Sequence, residues 1–467
     1  MNSTGGSASW WTEEASTLEW WRPEPPPGQS RPGGDVHSPP EVADSRLAFW
    51  GVMAFTFVLL ISPQSMVPAL KPLRLAFVSA AGSVAALLVY RFRHGRPVAL
   101  VTREMWIAAA LAVWAIFLVP TSYWPGGSAS FLLEAYFKSL AIFWLLTNTL
   151  NTLPRIRRVV WALAAMAVPL ALAGVRHFLS GVFFSRGLTA RDPRILGYVA
   201  PLTENPNDLA LLLNLLLPLT VALLLMTKRR GVRLALLAAI GLDVAAVVAT
   251  FSRAGFITLG LIFFVYMWKF RGRPAARWAW GLVMLLVVIM LAGLPLLPAS
   301  YVERLGTITD IRADRSGSAQ ARWDDSFAAL HLVQRHPIIG AGAGQSILAL
   351  NHERGQRWTQ IHNVYLQYAV DLGLPGLVLF LLLLAHCLRA TGPVQRETAG
   401  QPVFREIFCL AEGVHVSLIA FAAAALFHPV AYHFYFYYLA GLALALRETW
   451  RALGGARSGA ASPAVGG

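Results

Sequence analysis

The residues with chemistry to offer in this chain are arginines and one histidine, all set at the edges of apolar runs. Arg253 stands in "VVATFSRAGFITLG", between two apolar runs with almost no loop to hold it. An ionisable group at membrane depth marks a functional site by default, because charge is costly there. Its plainer reading is a turn arginine that snorkels to the headgroups. Arg322 follows in "ARWDDSFAALHLVQRH", and His362 and Asn363 in "QIHNVYLQYAVDLGLPG". Arg186, Arg191 and Arg194 crowd the stretch before "ENPNDLALLL", where Asn205-Pro206-Asn207-Asp208 reads as a turn and a helix cap. Guanidinium groups stay charged and present a planar fork suited to bidentate phosphate binding. A neutral imidazole beside them has its proton affinity lowered, because a like charge disfavours imidazolium. It is then available as a base at neutral pH. Such a set can hold a phosphorylated group as it leaves while a base takes a proton. The bland alternatives are a solvated helix face for Arg322, lipid headgroups for the 186–194 cluster and a structural interface histidine for His362.

Other chemistries find less support. No His/Asp/Glu or Cys cluster with metal-ligand spacing lies near these residues. Asp310, Asp314, Asp324 and Asp325 sit among arginines and read as salt-bridge partners. There is no phosphate-binding P-loop and no G-x-G-x-x-G after a strand. No metal or cofactor is therefore expected, and arginines would have to neutralise a diphosphate leaving group. Gly340, Gly342 and Gly344 in "PIIGAGAGQS" suit a tight turn that exposes its backbone, either a connector or a phosphate cradle.

The elements that must position these groups are apolar. Of the 467 residues 56% are hydrophobic and 13% charged, with a mean hydropathy of +0.54. Soluble proteins carry about 25% charged residues. A hydrocarbon core about 30 Å thick needs about 20 apolar residues of helix. That length predicts an all-α polytopic membrane protein of about twelve spans, at 47–62, 75–90, 104–120, 131–149, 159–178, 207–226, 234–252, 254–270, 278–298, 363–388, 406–428 and 431–447. Residues 1–46 are rich in Pro, Gly, Ser and acids and read as a disordered cytoplasmic tail. The organisation expected is then spans one to nine over 47–298, an outer loop over 299–362, spans ten to twelve over 363–447, and a second tail over 448–467. Cys387 and Cys409 lie inside apolar runs and read as small core residues.

The net charge of +15 does not point to nucleic acid, because the basic residues fall in short clusters between apolar runs. Arg91, Arg93, Arg96 and Arg103 form one cluster, Lys228, Arg229, Arg230 and Arg233 another. With both termini in the cytoplasm these clusters lie inside, as the positive-inside rule requires. Lys71 and Arg74 run against the trend. The loop 299–362 then faces outward, and Arg253, Arg322, His362 and the 186–194 cluster share that outer side. Within the loop, Trp323, Phe327, Leu330 and Leu332 or Val333 recur at helical spacing, ahead of Pro337. This predicts an amphipathic helix on the outer mouth of the bundle, with Arg322 off the apolar stripe.

In this order, "FSRAGF", "ARWDDSF…RHPIIGAGAG" and "IHNVYLQYAVDLGLPG" resemble the O-antigen ligase/polymerase superfamily of bacterial envelope glycosyltransferases. "ENPNDLALLL" resembles the family's earlier Asn-Pro-Asn segment, so the resemblance runs from about Arg186 to His428. The size, the span count and the single large loop look most like the ligase branch. The resemblance implies a GT-C-like fold in the bacterial inner membrane with a periplasmic active site. It implies metal-independent, inverting transfer of O-polysaccharide from an undecaprenyl diphosphate donor to a lipid A-core acceptor, among membrane lipids, in lipopolysaccharide biosynthesis. The family's essential arginine pair and histidine would fall on Arg253, Arg322 and His362. Arg186, Arg191, Arg194, Asn363 and Gln360 would contact substrate.

Two rival functions share parts of this pattern. A polymerase uses the same donor and another lipid-linked chain as acceptor, and often shows an arginine followed eleven residues later by glycine. Arg186 and Gly197 have that spacing, but with 38 glycines and 39 basic residues in 467, about three such pairs arise by chance. A lipid-linked sugar flippase would carry a midplane site built from repeats and interrupted helices. No convincing repeat is visible.

Overall fold

A computed structural model of the chain describes residues 45–180, 183–184, 194–195, 197–271 and 318–460. The principal helices are α1 (Arg46–Ile61), α2 (Leu75–Arg93), α3 (Arg103–Phe117), α4 (Phe137–Thr149), α5 (Leu153–Leu179), α6 (Pro206–Met226), α7 (Arg230–Ala249), α8 (Arg253–Phe270), α9 (Ser318–Arg335), α10 (Ser346–Arg354), α11 (Val364–Thr398), α12 (Arg405–Ala424) and α13 (Phe434–Ala460). Among the described residues one strand pair departs from the all-α expectation, β1 (Phe183–Phe184) antiparallel to β2 (Arg194–Ile195). Each expected span falls on a helix, except 278–298, which lies outside the described residues. Among the described residues eight segments are long and apolar enough to cross a membrane: Pro68–Arg93, Arg103–Thr121, Pro125–Thr149, Leu153–Leu179, Pro206–Met226, Arg230–Ala249, Val364–Thr398 and Pro402–Ala424. α1 is apolar but shorter. Much of the segment read as a C-terminal tail is helix, since α13 runs to Ala460. Cys387 and Cys409 are free and buried.

α6 is the central helix, buried on all sides from Leu209 to Thr220. Asn205 caps it by accepting from the Asn207 amide at 2.9 Å, Pro206 takes the first turn and Asp208 follows there. The cap satisfies an orphan amide and the acid complements the positive end of the helix. α12 packs closely on α6 because Gly413 has no side chain: a Cβ there would lie 2.8 Å from that of Ala222. Small residues permit such approach where lipid offers no hydrophobic drive. Pro218 interrupts the ladder of α6, and Ser417 of α12 donates to the nearby Leu215 carbonyl at 2.8 Å.

α11 is two helices joined at Gly373, whose φ of 70° and ψ of −178° no side chain tolerates well. The break frees carbonyls within the span, and neighbours satisfy each one. Ala341 N donates to Val370 O at 2.7 Å and Gly342 N to Asp371 O at 2.9 Å. Trp114 Nε1 of α3 donates to Leu372 O at 2.8 Å. In return Leu374 N reaches Pro337 O at 2.7 Å. A glycine is needed here because a Cβ at 373 would sit 2.2 Å from Ile338 O. The segment 337–344 is thereby stitched into the kink of α11.

Candidate functional site at one end of the bundle

The starts of α6, α8 and α11 and the end of α12 meet at one end of the bundle. Gly255 of α8 lies against Ala210 of α6, a Cβ at 255 falling 2.7 Å from that of Ala210. Asn214 Nδ2 donates to Gly255 O at 2.8 Å. This register sets Arg253, the first residue of α8, level with the first turn of α6. Val364 N donates to Ala425 O at 2.7 Å, which joins the start of α11 to the end of α12. Three capped helix starts therefore share this end: Asn205 on α6, Ser252 on α8, donated to by Gly255 N at 3.2 Å, and Asn363 on α11. Helix starts carry unsatisfied amides and a positive partial charge, which favours anions.

Arg253 follows a strained turn. Phe251 adopts φ of +53°, a left-handed conformation that a Cβ makes costly. Thr250 Oγ1 accepts from Ser252 N at 3.2 Å and holds the turn. Trp358 (φ +50°) and Tyr432 (φ +31°), also non-glycine residues at positive φ, flank the His362 lip and the loop after α12. Strained residues of this kind cluster where structure serves function.

His362 is half-buried at the foot of α11. Its Nδ1 lies 2.9 Å from the backbone carbonyl of Gln360. A carbonyl only accepts, so Nδ1 carries the proton and Nε2 is left with its lone pair. Burial, and then the positive charge of Arg322, push the His362 pKa down from 6.5 to about 4. The lowered proton affinity expected from sequence is present, but burial rather than charge is the larger cause. Arg322 lies on α9, where its carbonyl accepts from Ser326 Oγ at 2.8 Å.

A residue to which the sequence reading gave no role joins this group. His428 is 2% exposed, with Nδ1 2.9 Å from Ala424 O and Nε2 3.3 Å from Asn207 O. It clasps the end of α12 to the first turn of α6. Burial lowers its pKa, the two carbonyls oppose that, and Arg322 lowers it further. His428 in turn lowers His362. The expected span 406–428 hid it. The helix stops at Ala424, and Pro429 disfavours helical backbone at the residue before it. A His-Pro pair at the end of an apolar run was the available signal.

Several expected contributors have other work. Asn363 Oδ1 caps α11, accepting from Tyr365 N at 2.9 Å and Leu366 N at 3.1 Å, so only its amide nitrogen is left to meet a substrate. Gln360 serves His362 through its backbone carbonyl, and its side chain is exposed. Arg194 pairs by its backbone with Phe184, beside Ile195, which is buried against Gly174 of α5. The Arg194 side chain, and Arg186 and Arg191, lie outside the described residues. Gly197 of the polymerase-like spacing is needed for packing, since a Cβ there would fall 1.8 Å from Thr203 O.

The glycine loop is not a phosphate cradle. The amides of Ala341, Gly342 and Gly344 are taken up by Val370 O, Asp371 O and Asp371 Oδ2 respectively. α9 buries only the Leu332/Val333 end of its expected apolar stripe. Asp325, Ala329, Leu332 and Val333 pack inward, while Trp323, Phe327 and Leu330 are exposed. Asp325 turns inward because Arg354 meets it there, Nε to Oδ1 at 2.6 Å. A cavity of about 300 Å³ beside the glycine loop, lined by Tyr123, His336, Ile339 and Val370 among others, contains none of the site residues. Among the described residues no group of three or more His, Cys, Asp or Glu could hold a metal ion.

Residues 238–381 match the family described as O-antigen ligase. That segment is similar to the O-antigen ligase family, which supports the family reading made from the sequence. The family is one of ligase/polymerase-type, glycosyltransferase-like membrane proteins. The matched segment contains Arg253, Arg322 and His362 together with the glycine loop and the Gly373 kink. It is narrower than the resemblance read from sequence, leaving Arg186–Arg194, Asn205–Asp208 and His428 outside. A search of curated proteins returns no match.

Proposed function

We propose that this chain is an inverting, metal-independent glycosyltransferase. It moves O-polysaccharide from undecaprenyl diphosphate to lipid A-core at the periplasmic face of the bacterial inner membrane. The observation that carries this reading is His362, tautomerically fixed with Nε2 free, beside Arg322 at the end where three helix starts converge. The acceptor hydroxyl oxygen attacks the anomeric carbon of the donor. The bond from that carbon to the diphosphate oxygen breaks, and its electron pair leaves with undecaprenyl diphosphate. His362 Nε2 takes the hydroxyl proton. Arg253 and Arg322, helped by Arg191, Arg186 and Arg194, would hold the diphosphate, and the amide-rich starts of α6, α8 and α11 favour the growing negative charge. Direct displacement needs no covalent intermediate on the protein.

The family match supports the class of reaction. The donor, the acceptor and the stereochemistry are what the resemblance in sequence implies, and the arginines and His362 are suited to them. Reconstitution of purified protein with lipid-linked donor and lipid A-core tests them, with a product of shifted mobility expected. Product only when a second lipid-linked chain replaces lipid A-core would make the protein a polymerase. Donor that changes leaflet without transfer would make it a flippase.

A further inference from the structure

The loop Gly355–Ile361 is held on both sides of Trp358. Gly355 ends α10 with its amide on Asn351 O at 3.1 Å. Asn351 Oδ1 then accepts from both Arg357 N and Trp358 N, each at 3.2 Å. Thr359 is fixed by Arg354, whose Nη2 donates to Thr359 Oγ1 at 2.6 Å, and itself donates to Asp325 Oδ2 at 2.9 Å. The Arg354 and Asp325 side chains are 8% and 4% exposed, so this frame is buried. Ile361 is 1% exposed and locks the far end into the core under α9 and α10. Between these anchors Trp358 is 64% exposed at φ +50°. An exposed indole on strained backbone that is anchored on both sides is an arrangement that folding alone does not favour.

We propose that Trp358 is a stacking platform for a pyranose ring of the acceptor glycan. The inference rests on the transferase reading above. One face of a pyranose carries C–H groups with slight positive character, and the indole face is negative, so the two stack. Gln356, Arg357 and Gln360 are exposed around the indole and supply hydrogen bonds for sugar hydroxyls. His362 lies four positions after Trp358, at most about 14 Å of chain at ~3.5 Å per residue. A glycan seated on the indole can thus present a hydroxyl to Nε2. A tryptophan serving as a membrane-interface anchor needs no fixed backbone. The rigid frame and polar surround favour a sugar.

The test uses full-length protein in nanodiscs and two measurements. The first is calorimetric binding of water-soluble, delipidated core oligosaccharide, which needs no transfer. The second is transfer kinetics with donor and acceptor varied separately. Trp358→Ala is expected to weaken oligosaccharide binding and raise the acceptor KM by about tenfold, with a smaller change in kcat and none in donor KM. Trp358→Phe and Trp358→Tyr are expected to recover most of the loss. Trp358→Gly, which suits positive φ, is expected to raise the thermal midpoint while losing acceptor affinity as Ala does. Unchanged oligosaccharide binding in Trp358→Ala or Trp358→Gly would overturn the platform, as would a rise in donor KM alone, which would mark a lipid contact. If wild type binds oligosaccharide through Trp358 but transfers nothing to lipid A-core, the transferase reading fails and the sugar site stands.

Discussion

Replacing His362 tests the proposed chemistry most directly. The Gln360 carbonyl holds Nδ1–H, so a base must act through Nε2. General-base catalysis contributes about 10²–10⁴-fold, or about 2.7–5.5 kcal/mol at ~1.36 kcal/mol per tenfold. His362→Ala should lose roughly that much in single-turnover transfer. Donor affinity should hold, because the arginines supply the diphosphate contacts. His362→Gln keeps a polar side chain able to hydrogen-bond the Gln360 carbonyl but offers no base. It should lose nearly as much as Ala. If His362→Gln transfers sugar near the wild-type rate, the imidazole only braces the loop.

The pH dependence follows from the same contacts. With its pKa pushed down to about 4 by burial and Arg322, His362 in the free protein is neutral above that pH and protonated below it. The acid limb of kcat/KM, which reports the free enzyme, should therefore fall near pH 4. A bound diphosphate brings negative charge beside Arg322 and offsets its repulsion of a proton. The histidine should then bind its proton more readily, so the acid limb of kcat should lie at higher pH than that of kcat/KM. This shift also moves the base towards working pH, where proton transfer is most effective. Coincident limbs, or limbs that persist unchanged in His362→Gln, would refute the reasoning.

Further outcomes bear on the neighbouring groups. Arg253→Lys keeps the charge but loses the planar fork, and should lose most transfer with normal membrane insertion; near-normal rates in Arg253→Ala would leave Arg253 a snorkelling anchor. Arg322→Gln should raise the His362 pKa, because a positive neighbour is removed, yet leave it below 6.5, because burial is the larger cause; histidine-selective NMR titration reads this, and an unmoved resonance counts against the pairing. Cysteines at Ser318 and Ser458 should react oppositely with an impermeant thiol reagent in cells with a permeabilised outer membrane, Ser318→Cys labelling and Ser458→Cys not, and the reverse would invert the proposed topology. Transfer should survive excess EDTA, so a loss restored by magnesium or manganese would point to a metal requirement.

What the sequence made legible was local. Asn205-Pro206 caps α6 as its residue types require, and apolar length located the helices, whereas the caps at Ser252 and Asn363 emerged only from the structure. The direction of the His362 shift was legible because arginines were visible nearby. Its leading cause was not, because burial depends on how α9, α11 and α12 pack. Periodicity predicted α9 but could not choose its inner face. The larger apolar residues Trp323 and Phe327 went outward, and small Ala329 with acidic Asp325 went inward. That choice depends on Arg354, twenty-nine positions after Asp325. The glycine loop was ambiguous for the same reason, since its amides find partners in a kink at Gly373 that local sequence does not advertise.

Asp325 and Arg354, which read as ordinary loop charges, then acquire a consequence. Asp325 is one helical turn from Arg322 on α9, and Thr359, which it also binds, is three residues before His362. The buried triad therefore sets where the proposed phosphate-binding arginine and the proposed base stand relative to each other. Removing one partner of a buried ion pair leaves the other charge uncompensated, at a cost of about 3–5 kcal/mol. The strain would be released at the loop and α9 together, so both groups would be displaced by a change that touches neither.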